Sequence, residues 1–182
     1  MPEKPKIVLG VTGSIAAYKA AELARLMQKQ DWDVWVVMTA CATQYIGPLT
    51  FRALTGHPVP CGSFAEREME TYSHLALSEG AAAMVVAPCS AQTIARLAHG
   101  FADDLLSCTA LALEAPLLVA PAMNTRMWKN VATQENIVTL KKRGVTIIEP
   151  GTGELACGDT GAGRLADLAD IIRAVEQKIT KA

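Results

Sequence analysis

Apolar residues in this chain fall into short unbroken runs, separated by stretches in which they recur every three or four positions. The runs lie at Lys6–Val11, Asp33–Met38, 82–87, 117–120 and 145–148. Runs of this length, apolar at successive positions and bounded by turn residues, predict strands buried on both faces, as in a parallel sheet. Between the first two, Ala16, Ala20, Leu23, Ala24 and Met27 repeat with a helical period. Helices are also predicted over 91–97, 103–113, 132–142 and Leu168–Ile179, and a short one over 72–79 leads into the third strand. Gly144 closes the 132–142 helix, and Pro88 and Pro121 stop the runs before them. Strand alternating with helix predicts a doubly wound α/β fold, in one domain spanning residues 1–182. Five glycines between residues 150 and 164 predict a mobile loop long enough to close over a ligand.

Composition narrows the function. With 182 residues, 51% hydrophobic and only 5% aromatic, the chain suits one domain with an Ala/Val/Leu/Ile core. So apolar a domain also favours self-association. Net charge is −1 and the largest basic cluster is Lys141-Lys142-Arg143, which argues against a nucleic-acid partner. No apolar run reaches the roughly 18 residues of a membrane span, and the polar start, residues 1–6, is no signal peptide. The five cysteines are odd in number and form no CxxC pair. That predicts no metal site and no disulfide framework, and favours reduced thiols in a cytoplasmic protein.

In a doubly wound sheet, ligands bind beyond the carboxyl ends of the strands. The first end is Gly10-Val-Thr-Gly13-Ser14, where Ser14 and free backbone N–H groups suit an anion such as phosphate, or form an ordinary strand-to-helix turn. The second, Met38-Thr39-Ala40, lacks the acidic residue that a dinucleotide ribose requires, which points to a mononucleotide. At the third, the hydroxyl and amide groups of Ser90, Gln92 and Thr93 suit either phosphate and a polar ring edge or a helix cap. The fourth places Asn124 between Met123 and Met127, an amide against an apolar surface. The glycine-rich segment contains Cys157, a thiol able to exchange a proton. Spacing does not choose among His57, His74 and His99.

Together these strings resemble the homo-oligomeric flavin-containing cysteine decarboxylases. GVTGSIAAYK at 10–19 is similar to the family's opening, PLTF at 48–51 to its PLTF segment, and PAMNTRMW at 121–128 to its PxMNxxMW motif. LACGDTGAGRL at 155–165 resembles the substrate clamp of the branch acting on phosphopantothenoylcysteine. The resemblance runs from about residue 6 to 172. It implies a Rossmann-like flavoprotein fold with FMN lying between subunits of a trimer, or of a dodecamer built from trimers. It implies His74 as the active-site histidine, Asn124 as the residue holding the substrate carboxylate, and Cys157 as the final proton donor. Flavin contacts are implied for Gly13, Ser14, Ile15, Thr39, Tyr45, Ser90, Ala91, Gln92 and Thr93, and substrate contacts for Asn124, Met127, Ala156 and Gly158. The chain departs from the pattern at Gln92, where the family has Asn, and at Tyr45, where it has Phe.

The implied reaction is redox-neutral decarboxylation of 4′-phosphopantothenoylcysteine to 4′-phosphopantetheine and CO₂ in coenzyme A synthesis. Direct loss of CO₂ would leave an unstabilised carbanion, so the flavin withdraws two electrons first and returns them afterwards. A peptidyl-cysteine decarboxylase would not need the clamp, and a prenyl-flavin synthase does not suit the 121–128 motif. A non-catalytic regulatory subunit could dispense with part of the His, Asn and Cys set. Relatives are often fused to the ligase that makes the substrate, so such a ligase is an expected partner, whether fused or separate.

Overall fold

The computed structural model describes residues 4–62, 73–154, 158 and 160–180. Five parallel strands form the main sheet in the order β2-β1-β3-β4-β5: β1 (Lys6–Val11), β2 (Asp33–Met38), β3 (Ala81–Cys89), β4 (Leu117–Pro121) and β5 (Thr146–Ile147). The chain turns one way from β1 to β2 and the other way from β3 onward. The reversal leaves a crevice beyond the carboxyl ends of β1 and β3, the place where such sheets bind ligands.

The unbroken apolar runs serve two cores. Ile7, Leu9, Val11, Val34, Val36, Met38, Ala83, Val85, Leu118 and Ala120 point to one face, packed with α1 (Ala17–Lys29), α2 (Pro48–Thr55) and α8 (Leu168–Ile179). Val8, Val37, Met84, Val86 and Val119 point to the other, packed with α3 (Ser73–Ser78), α4 (Ala91–His99), α5 (Leu105–Leu111) and α7 (Val131–Lys142). Alternate side chains of every central strand are buried on opposite sides, so no polar alternation was available to the sequence.

The helix ends follow local chemistry. Ser90 caps α4 by accepting from the Thr93 N–H at 3.3 Å, and Gly100 ends it in the left-handed region. Asp104 and Ser107 form a capping box that starts α5 at Leu105, two residues later than the pattern predicts. Asn130 caps α7.

Four further regions depart from the sequence reading. The strand predicted to stop at Pro88 runs on to Cys89. Two helices are added: α2, started by Pro48 with Phe51 buried, and the five-residue α6 (Thr125–Lys129). The glycine-rich segment, expected as a mobile loop, contains an antiparallel hairpin of β6 (Gly151–Glu154) and β7 (Thr160–Arg164). Two of its glycines, Gly161 and Gly163, are needed for close contact. The Met123 N–H donates to the Gly163 carbonyl at 2.9 Å. A Cβ on Gly163, whose φ is 132°, would overlap the Met123 carbonyl oxygen, and one on Gly161 would overlap the Thr125 hydroxyl.

Candidate active site at the strand ends

A residue that the motif reading passed over joins the first and third strand ends. Thr12 is fully buried; its hydroxyl donates to the Pro88 carbonyl at 2.8 Å and accepts from the Ser90 N–H at 2.8 Å. The β1–α1 and β3–α4 turns are thereby fixed against each other. A threonine between two glycines carries no sequence signal that distinguishes this role from an ordinary turn. Next to it the Ser14 hydroxyl accepts from the Ala16 N–H at 3.3 Å, while Thr39 caps the 3-10 turn Ala42–Gln44 through the Ala42 N–H at 3.2 Å. Gly13 must lack a side chain because a Cβ there would overlap the Cys41 sulfur.

Two cavities open above these turns. The larger, about 680 Å³, brings together Gly13, Ser14, Ile15, Tyr45, Ser90, Ala91, Asn124 and Met127 from the predicted set. The second, about 470 Å³, brings Thr39, Gln92 and Thr93 to the same Gly13, Ser90, Ala91 and Met127. Ile15, Tyr45 and Met127 are exposed apolar groups around the larger cavity, joined by Tyr18 at 62% exposure, an apolar surface open for a flat ring or a partner. Asn124 is fixed by its own helix: it caps α6, its side-chain oxygen accepting from the Arg126 N–H at 2.8 Å. That turns its amide nitrogen into the donor end, suited to a carboxylate.

Not every predicted residue is gathered here. His74, near the start of α3, lines neither cavity within one chain. Gly158 is exposed with φ 86°, while Ala156 and Cys157 lie outside the described residues. Of the other histidines, His57 is held at the amino end of β2 by Asp33, 2.7 Å away, and stacks on Trp35 with ring centroids 3.9 Å apart. His99 sits at the far end of α4. Cys89 ends β3 close by, but it is completely buried, which pushes its thiol pKa up.

The electrostatics are asymmetric. In the smaller cavity Arg96 is neutralised by Asp103 and Asp104, each at 3.0 Å. In the larger one Lys19 and Arg164, both missed by the motif reading, are present with no carboxylate among the described lining residues. Among the described residues no three His, Cys, Asp or Glu side chains are grouped to hold a metal, no disulfide is formed, and no helix is long and apolar enough to cross a membrane.

A flavodoxin-like strand order and a switch-point crevice lined with hydroxyls and helix starts define a doubly wound α/β protein of the kind that binds ligands beyond its strand ends. The Flavoprotein family model matches residues 1–180, and the chain belongs to that family. It is 48% identical over 176 residues to a probable phosphopantothenoylcysteine decarboxylase of Streptococcus mutans, covering 96% of this chain and 98% of that protein. It is 44% identical to the coenzyme A biosynthesis bifunctional protein CoaBC of Vibrio vulnificus, of which it spans only 43%. Among solved structures it is similar to a cysteine-to-serine mutant of PPC decarboxylase complexed with pantothenoylaminoethenethiol, with a TM-score of 0.83, 32% identity and coverage of 96% and 98% of the two chains. The FMN-binding protein AtHal3 superposes with a TM-score of 0.82 at 32% identity, covering 99% of each chain.

Proposed function

We propose that the chain is an FMN-dependent phosphopantothenoylcysteine decarboxylase. The observation that carries this reading is the cavity that sets the capped Asn124 amide beside the apolar Ile15, Tyr45 and Met127 and above the Ser14 and Ser90 turns. The donor set fits FMN: Thr39, Ser90 and Thr93 hydroxyls with the α4 amino end suit its phosphate, and the exposed apolar groups suit its ring. When bound, the flavin supplies a two-electron acceptor and donor, which makes decarboxylation beside a thiol-bearing carbon feasible.

The chain's own residues do the rest. The Asn124 amide holds the substrate carboxylate against the apolar surface, where water is scarce and loss of charge as CO₂ is favoured. His74 orients or deprotonates the substrate, the role that the resemblance to the family implies for it. It acts from a neighbouring subunit, since within one chain it lines neither cavity. Cys157 returns the last proton, and Ala156 and Gly158 close the clamp around it. The enethiol in the mutant PPC decarboxylase complex supports this division into two halves. The enzyme works as a trimer or a dodecamer of trimers in the cytoplasm, and a phosphopantothenate–cysteine ligase, fused or separate, supplies its substrate.

The test is the visible spectrum and the reaction together. Purified protein is expected to carry one FMN per chain and to release CO₂ from 4′-phosphopantothenoylcysteine. Colourless protein that binds NAD tightly, or flavin-loaded protein that releases no CO₂, overturns the reading.

A further inference from the structure

Two cations line the Asn124 cavity, and neither is neutralised within the described residues. The cations of the ion pairs found there are Lys4, His57, Arg96, Lys141 and Arg173. Lys19, on α1, and Arg164, the last residue of β7, are not among them. No Asp or Glu is found among the described residues lining the cavity. Arg96, which lines the neighbouring cavity, provides the contrast, since Asp103 and Asp104 already occupy it.

The hairpin fixes where Arg164 runs. Its Nη1 lies 3.5 Å, and its Cδ 3.9 Å, from the point a Gly153 Cβ would occupy. Gly153 itself pairs with Gly161 across the two strands. The long side chain therefore lies over a glycine on the facing strand, at ordinary van der Waals distance from it. Gly163, the preceding residue, is bonded to Met123, next to Asn124. Arg164 is thus carried on the same short backbone unit as Asn124, and both line the cavity. The planar guanidinium fork of donors matches a phosphate or carboxylate.

Three anionic groups need partners under the proposed function, on which this inference rests: the flavin phosphate, the substrate carboxylate and the substrate's terminal phosphate. The hydroxyls and helix start of the smaller cavity suit the first, and the Asn124 amide suits the second. We infer that Arg164 is a specificity-determining residue that recognises the terminal phosphate monoester of the substrate.

The experiment compares kcat/KM for 4′-phosphopantothenoylcysteine with that for pantothenoylcysteine, which lacks the phosphate, in flavin-loaded protein. Arg164→Ala is expected to reduce the preference for the phosphorylated compound about ten- to hundredfold, mainly through KM, as befits one charge-assisted contact. Arg164→Lys should recover part of it, since an ammonium keeps the charge and loses the fork. Arg173→Ala, on α8, serves as a control and should leave the preference at its wild-type value. Bound flavin, read from visible absorbance, should be the same in all variants. An unchanged preference in Arg164→Ala overturns the inference. Loss of flavin in that variant also overturns it, since Arg164 would then hold the cofactor. If wild-type protein decarboxylates neither compound, the proposed function itself fails, and this assignment fails with it.

Discussion

Under the proposed function Asn124 has two tasks, and they can be separated. Its oxygen caps α6, and the residue lines the larger cavity. Asp caps a helix as well as Asn does, so Asn124→Asp should fold normally and bind flavin. It would place a negative charge against the substrate carboxylate, a repulsion of about 4 kcal/mol at 4 Å with an effective dielectric of 20. Single-turnover release of CO₂ should fall at least about a hundredfold. Cys157→Ser should behave differently. Serine is a far weaker acid than a thiol, so only the last proton transfer fails. One CO₂ per site should still be released, with flavin absorbance bleached and an enethiol accumulating. If Cys157→Ser turns over like wild type, the clamp role is wrong.

Two elements show how local chemistry positions the site from outside it. The β6–β7 hairpin reaches the cavity only because Gly163 and Gly161 admit Met123 and Thr125 against the backbone. Gly163→Ala adds both a steric overlap and a φ near 132° that L-residues avoid, together about 1–3 kcal/mol of local strain. The hairpin should detach while the sheet stays folded. Faster hydrogen exchange at the Met123 N–H, with flavin retained and decarboxylation lost, is the expected signature. At the other end of the sheet, burial alone would raise the Asp33 carboxyl pKa, but hydrogen bonds from His57 and Trp35, with charges from His57 and Lys6, hold it below the usual value. A depressed carboxylate stabilises the fold above its unfolded pKa of about 3.9 and loses that contribution as pH falls through the lower folded value. Asp33→Asn should therefore lower stability at pH 7 by about 0.5–1 kcal/mol. It should also flatten the pH dependence of urea unfolding below about pH 4. An unchanged acid limb would show that Asp33 carries none of it.

At the scale of the whole molecule, the proposed function calls for more than one chain. Ile15, Tyr18, Tyr45 and Met127 stand exposed around the larger cavity, and His74 lines neither cavity. Exposed aromatic and aliphatic groups clustered at a cavity mouth favour a covering surface. Sedimentation of flavin-loaded protein should show a trimer or a multiple of it, and dilution that dissociates the assembly should abolish decarboxylation. Fully active monomers would mean that His74 acts from within its own chain or has no part in the reaction.

The sequence by itself determined the elements whose physics is local or periodic. Apolar runs marked β1 to β4, the 3.6-residue repeat marked α1, and glycine and the small polar caps marked where α4 and α7 end or begin. The family of the site was legible too, because PAMNTRMW and the strand-end turns occur as contiguous strings. Tertiary structure decided what depends on approach between distant segments. Thr12 becomes a bridge only when β1 and β3 lie side by side, and Gly163 becomes obligatory only when β7 packs on Met123. The hairpin was hidden because glycine-rich strands have no side-chain alternation to read, and α6 because five residues are too few for a period. Lys19 and Arg164 are 145 positions apart, and only the fold brings them to one cavity with an amide between two methionines. Residue type and order are local properties of a chain, whereas close contact and shared charge are properties of the packed molecule.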